Sequence, residues 1–204
     1  MKRLFFTLIC ITFSVLGIAQ DNSPSSEKAD HPFRIEIEPT SYIAKGWSLL
    51  GSYGVDKERN LSVGLYTIAS TLPSGLNKTM FWNVEEEDEI RLTFEAAATL
   101  RYKIPYFLNT ESNPYIGLFF GWEAFTHTHA TTSKVTNLSN FFLTPQVGYE
   151  IYVFKERFYL NPSVRIVYEF GRQSDFDNMG DITNSGPVIR SFVWLPSFSL
   201  GVRL

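Results

Sequence analysis

His127 and His129 stand two residues apart and are the side chains of this chain best suited to metal or proton chemistry. On an extended segment, residues of one parity point the same way, so both imidazoles share a face with Glu123. Two imidazoles and a carboxylate form a ligand set that zinc accepts. At ~3.3 Å per residue, though, Glu123 lies about 13 Å along the strand from His127, too far for one ion without another ligand. The same histidines could serve as a general base for acyl transfer, given a nucleophile. The local text, His127-Thr-His129-Ala-Thr-Thr-Ser133, sets no serine beside them. The run Asp175-Phe-Asp177-Asn178-Met179-Gly180 has the outline of a calcium loop, but Met179 occupies a ligand position and no Glu closes it. The acidic stretch Glu85-Glu86-Glu87-Asp88-Glu89 reads as a solvated charge run. None of these constellations is assigned as a catalytic, cofactor-binding or metal site, and the expectation is a protein that is not an enzyme.

The elements that would carry these residues are strands. Phe192, Trp194, Pro196, Phe198, Leu200, Val202 and Leu204 alternate with Val193, Leu195, Ser197, Ser199, Gly201 and Arg203. Residues 90–104 set Ile90, Leu92, Phe94, Ala96, Ala98, Leu100, Tyr102 and Ile104 against Arg91, Thr93, Glu95, Ala97, Thr99, Arg101 and Lys103. The same period of two runs through 33–43, 47–55, 61–66, 116–123, 140–153 and 158–170, which makes eight segments. One parity is greasy. The other interleaves Gly, Ser and Thr with Arg34, Arg91, Arg101, Lys103, Arg165 and Arg203 and with Glu36, Glu38, Glu95, Glu123, Glu150 and Glu169. Six charges of each sign can neutralise one another in a narrow hollow, whereas a solvated outer face has no need of the match. The greasy parity, including Leu92 and Leu100, is therefore expected to face lipid.

The start of the chain supports export. Lys2 and Arg3 precede the apolar run Leu4–Ile18, and small residues around Ala19 suit cleavage by a signal peptidase. The organisation expected is a signal peptide at 1–19, a polar tail at 20–32 and one β-domain at 33–204. Removal of 19 of the 204 residues discards the single Cys10 and leaves neither thiol nor disulfide. The formal net charge of −3 gives no sign of a nucleic-acid partner. No later apolar run approaches the ~20 residues of a spanning helix, so residence in a membrane requires a closed barrel.

Connections sharpen the picture. Short links at Lys57–Asn60 and Phe154–Glu156 alternate with long polar ones at Ser70–Glu89, Thr128–Ser139 and Arg172–Val188. Outer-membrane barrels are built with short periplasmic turns and long outer loops. Strands one and two depart from that rule, being joined by little beyond Ala44-Lys45-Gly46. Pro39, Pro145, Pro162 and Pro196 fall inside the proposed strands, and bulges, or strands projecting past their neighbours at the rim, are expected to absorb the missing N–H groups. Tyr102, Trp122, Tyr149, Tyr168 and Trp194 are candidate interface anchors.

Eight alternating strands, short turns, long loops and an apolar C-terminal strand ending in Leu204 resemble the small outer-membrane barrels, the superfamily typified by the barrel of outer-membrane protein A. The resemblance covers residues 33–204 and rests on architecture. It implies an all-β, eight-stranded antiparallel up-and-down transmembrane barrel in a bacterial outer membrane. Its partners would be outer-membrane lipid and lipopolysaccharide, together with the barrel-assembly machinery that reads the last strand. The barrel would be a monomer with no cofactor. Usually that strand ends in Phe, where this chain has Leu204. The functional expectation is a side-chain-filled lumen with a structural or surface-interaction role. A small-solute channel and a lipid A-modifying enzyme are the alternatives.

Overall fold

The computed structural model describes residues 32–56, 60–104, 112–154, 157–174 and 187–204. The proposed signal peptide, its cleavage site, nearly all of the polar tail and the run Asp175–Gly180 lie outside them.

Each period-two segment holds a strand, but the first, expected over 33–43, is extended only to Ile37 and turns helical over Pro39–Ile43. The strands are β1 (Phe33–Ile37), β2 (Trp47–Gly54), β3 (Leu61–Thr71), β5 (Glu89–Lys103), β6 (Asn113–Thr128), β7 (Val135–Phe154), β8 (Phe158–Ser174) and β10 (Phe192–Arg203). They close into one barrel in the order β1-β10-β8-β7-β6-β5-β3-β2, with every neighbour antiparallel. A separate two-stranded sheet pairs β4 (Phe81–Trp82) with β9 (Val188–Ile189). Two short helices, α1 (Pro39–Ile43) and α2 (Ser74–Met80), complete the elements among the described residues.

Alternation puts the oily parity outside. Leu65 is 74% exposed, and Val63, Leu100, Phe120, Val147, Val164 and Trp194 stand out beside it. The opposite parity is buried in the hollow, with Arg34, Glu36, Arg101, Lys103, Glu123, Glu150 and Glu169 among it. An apolar wall of that extent is at ease only against hydrocarbon, and a closed ring pairs its backbone without an edge. The chain is a transmembrane β-barrel.

One stretch of wall inverts. The register of β5 slips between Leu92 and Phe94 against β6, so Thr93 is an extra residue there. A single inserted residue exchanges the faces of everything beyond it. Ile90 is 0% exposed and Leu92 is buried, while Arg91 and Thr93 point outward. The expectation for Leu92 and Arg91 is corrected accordingly: Leu92 packs in the hollow, and Arg91 does not join the interior charges.

The prolines sit where the ladder needs no donor. Pairing of β7 with β8 steps from Leu143↔Tyr168 to Gln146↔Arg165, skipping Pro145, and from Gly148↔Ser163 to Ile151↔Leu160, skipping Pro162. Pro196 pairs with Val164 of β8, while β1 reaches along β10 only to Leu200. Pro39 opens α1, where a missing N–H costs nothing. Of the two devices expected, a strand running past its neighbour is the one found at Pro196, while the bulges lie elsewhere, between Ile68 and Ser70, Leu92 and Phe94, Ser139 and Phe141, and Tyr152 and Phe154.

The link between β1 and β2 is the true irregularity. β1 stops after five residues, and α1 takes its place in the wall. Ser41 turns inward and donates to the Glu38 carbonyl at 2.7 Å, while Ile43 is 83% exposed on the lipid side. Ala44 then meets β3, accepting from the Thr71 amide at 2.9 Å. Beyond Ile37 the facing edges of β10 and β2 share no strand.

At the same end the barrel is capped. Met80, Phe81 and Ile189 from the loops are buried with Ile68, Ile90, Leu92, Phe125, Leu138 and Val193 from the wall. Phe81 packs edge-on against Phe125 at 5.2 Å, and the Arg190 guanidinium lies 3.4 Å from the Trp82 ring centre. A soluble-style core therefore closes one mouth of the barrel.

Leu65→Arg places a charge on the outer wall close to the middle of β3 and should cost about 2–4 kcal/mol in urea-dependent folding into vesicles. The same measurement on Thr93→Arg, beside the outward Arg91 near the rim, should show a loss of at most about 1 kcal/mol.

Candidate functional site

Two carboxylates near the turn end gather most of the barrel wall. Glu36 of β1 accepts from Arg101 Nη1 at 2.5 Å, Tyr159 Oη at 2.8 Å, Asn161 Nδ2 at 3.0 Å and Ser199 Oγ at 2.8 Å. Glu150 of β7 accepts from Lys103 Nζ at 2.5 Å, Tyr152 Oη at 2.5 Å, Arg101 Nη1 at 3.2 Å and Arg34 Nη1 at 3.3 Å. Arg203 donates to the Tyr152 hydroxyl and lies over its ring. Arg101 sits 4.4 Å above the Tyr115 ring, whose hydroxyl donates to Asn161 at 2.8 Å. Small residues make room for these rings: a Cβ on Gly148 would fall 2.5 Å from Tyr115, and one on Gly201 would collide with the Tyr159 ring. The result is a cross-linked plug.

The interior charges expected from the sequence are present except for Arg91, and they separate by height. The turn end holds Arg34, Arg101, Lys103 and Arg203 against Glu36 and Glu150. The cap end sets one inward cation among the described residues, Arg165, against Glu38, Glu95, Glu123 and Glu169. Arg165 reaches Glu38 at 2.5 Å and lies 4.8 Å over the Phe119 ring. Asn140 bridges two of the remaining carboxylates, donating to Glu123 at 2.8 Å and to Glu169 at 3.3 Å. Glu95 stands opposite Glu123 in the register.

The two histidines part company. His127 is buried on the inward face, as its parity required, and its Nε2 lies 2.8 Å from Asp88 Oδ2. Asp88 also accepts from the Ala130 amide at 2.9 Å and the Glu85 amide at 2.9 Å, and its carbonyl accepts from Asn77 at 2.8 Å. One carboxylate thus ties the loop before β5 to the turn after β6. His129 is half-buried, and its Nδ1 accepts from the Thr131 amide at 3.2 Å. Glu123 does not join them. Asp88, near the end of the acidic run, is the partner that sequence spacing concealed, because the pairing crosses from one loop to a strand 39 residues later. Glu85, Asp88 and His129 bring ligand atoms within 4.8 Å of one another, but Asp88 already serves the donors of the cap. Among the described residues, the partner of His127 is a carboxylate and no serine.

Of the aromatic anchors, Tyr102, Trp122, Tyr168 and Trp194 are exposed on the outer wall. Tyr149 is half-buried and donates to the Ser112 carbonyl at 3.1 Å.

Among solved structures the chain is similar to the Neisserial surface protein A (NspA), with a TM-score of 0.53 and 12% identity over 85% of this chain and 97% of that one. It is also matched by a major outer membrane protein from Thermus thermophilus, with a TM-score of 0.48 and 13% identity over 85% of this chain and 100% of the other. No family model and no curated protein matches it. At this identity the likeness to the Neisserial protein is one of fold, and it agrees with the small outer-membrane barrel read from the alternation.

Glu150→Ala would leave Arg34, Arg101 and Lys103 around an empty position and should cost about 3–5 kcal/mol in urea unfolding from micelles. Removing the exposed Lys78–Glu86 pair, 3.5 Å apart, should cost at most about 1 kcal/mol. Burial acts to raise the Asp88 pKa, but the bonds from His127, Ala130 and Glu85 outweigh it and hold the carboxyl below its ordinary value. A lowered folded-state pKa stabilises the cap above the unfolded carboxylate range and is lost as pH falls through the lowered value. Amide shifts of Ala130 and Glu85, followed into acid, should report that release, and Asp88→Asn should abolish the titration.

Proposed function

We propose that this chain resides in a bacterial outer membrane as a closed, non-conducting barrel with a structural or surface-interaction role. The observation that carries the reading is the plug: Arg101 bonds to Glu36 and Glu150 across the hollow, with Arg34, Lys103 and the Tyr152 and Tyr159 hydroxyls filling the space around them. An eight-stranded ring has an interior just wide enough to be filled in this way. The parts left free to meet other molecules are the cap-end loops. Outer-membrane lipid and lipopolysaccharide would surround the wall, and the barrel-assembly machinery would read β10 through Leu200, Val202 and Leu204. Such a barrel works as a monomer, reaches the membrane on a cleaved signal peptide, and has no enzymatic activity. The tie of His127 to Asp88 supports that last point, since both side chains are occupied in holding the cap.

Planar-bilayer recording tests the plug. The purified protein should give no stable open currents, whereas Arg101→Ala combined with Glu150→Ala should produce discrete steps. Stable conductance from the unaltered protein would replace this reading with a small-solute channel.

A further inference from the structure

Above the plug lies a cavity of about 170 Å³. At ~30 Å³ per water-sized group it has room for about six. Leu72, Leu92, Phe125 and Phe142 form the apolar part of its lining, and Glu95 and Glu123 line it from the same two strands that carry Leu92 and Phe125. Arg165 and Ser197 also line it, and the Ser197 Oγ, whose lone pairs can accept from a donor, is buried without a hydrogen-bond partner among the described residues. Buried polar atoms are seldom left unsatisfied, so an occupant with hydrogen-bonding capacity is required. Ordered water could meet the polar atoms, but it would gain nothing from the oily wall.

Charge selects the occupant further. Arg165 is spent on Glu38, so among the described residues neither Glu95 nor Glu123 has an ion-pair partner. Glu123 is only 4% exposed, and Oε1 of the neighbouring Glu169 accepts no hydrogen bond there. A bare metal ion does not fit, because among the described residues Glu85, Asp88 and His129 are the only group of three whose ligand atoms converge. The cavity also abuts the break in the wall: Leu195, Pro196 and Ser197, on the edge of β10 that β1 never reaches, are part of its lining.

We propose that the cavity binds a small amphiphilic organic cation, an alkylammonium whose head is held by Glu95 and Glu123 and whose short chain lies along Leu92 and Phe125. It enters past α1, where the wall lacks a continuous strand.

Hexylammonium is the probe, with hexan-1-ol and hexanoate as comparators of equal tail. Each is titrated into the folded protein in micelles while methyl signals of Leu72, Leu92 and Leu195 are followed by NMR. Hexylammonium should shift them saturably, the alcohol should bind about tenfold more weakly or worse, and hexanoate should not bind. Glu95→Gln and Glu123→Gln should each weaken hexylammonium by about tenfold and leave the alcohol unchanged, with heat-modifiable gel migration reporting that the variants fold. Leu72→Phe, at the edge of the cap core, should block all binding by filling the space, with the same gel migration reporting that it folds. Equal affinity for alcohol and ammonium, parental affinity in both Gln variants, or no saturable shift would each overturn the proposal and leave a water-filled chamber. A conducting parent protein would instead overturn the closed-barrel reading alone.

Discussion

In hydrocarbon an unpaired backbone amide has no water to turn to, and each one costs several kcal/mol. The rest of this structure answers to that constraint. It forces the strands into a ring, the ring of eight fixes a narrow hollow, and the inward parity must then fill the hollow with groups that satisfy one another. Glu36 and Glu150 do so by each accepting from four side chains spread over the wall. These bonds do not hold the barrel shut, since the backbone does that. They make an interior of charges tolerable and give it one arrangement.

The constraint is met least well where β1 gives way to α1. A helical turn pairs part of its own backbone, and the Ala44 carbonyl just past it accepts from Thr71 of β3, so α1 can stand in the wall where no strand continues. That substitution frees the edge of β10, and the free edge is where Pro196 can sit with no N–H to offer. It also leaves the upper hollow bounded by side chains rather than by a continuous ladder. The irregular wall, the proline and the cavity are one feature viewed from three sides.

The ring of eight strands was readable in the residues because a period of two survives in every segment, and because lumen charges on one parity are hard to explain any other way. What the alternation could not reveal was its own interruption. Thr93 adds one residue to β5, and nothing in Ile90-Arg91-Leu92-Thr93-Phe94 marks it: the greasy parity runs on through the bulge while the chain turns over. Counting matched charges therefore admitted Arg91 wrongly, and six against six became five against six. The separation of those charges by height was equally hidden, since parity records which way a side chain points and not what lies across from it. For the prolines, the reading offered bulges or strands that outrun their neighbours; the second holds at Pro196, and gaps in pairing suffice at Pro145 and Pro162.

The histidines show most clearly how far spacing reaches. Their shared parity suggested joint chemistry with Glu123, and parity was right about the direction of His127. Height and loop closure decided the rest. His127 lies where the polar interior ends and the cap begins, so its imidazole needs a partner that can be buried with it. Asp88 meets that need only because α2 and β4 fold back over the mouth and return the chain to β5 at the rim. In return, Asp88 draws in the amides of Glu85 and Ala130, which belong to different loops. A histidine and an aspartate at 2.8 Å are the makings of an acid–base pair; here the same contact joins two parts of the cap, while the His127 Nδ1 is buried without a hydrogen-bond partner among the described residues. The geometry that would interest a chemist is the geometry that keeps the lid down.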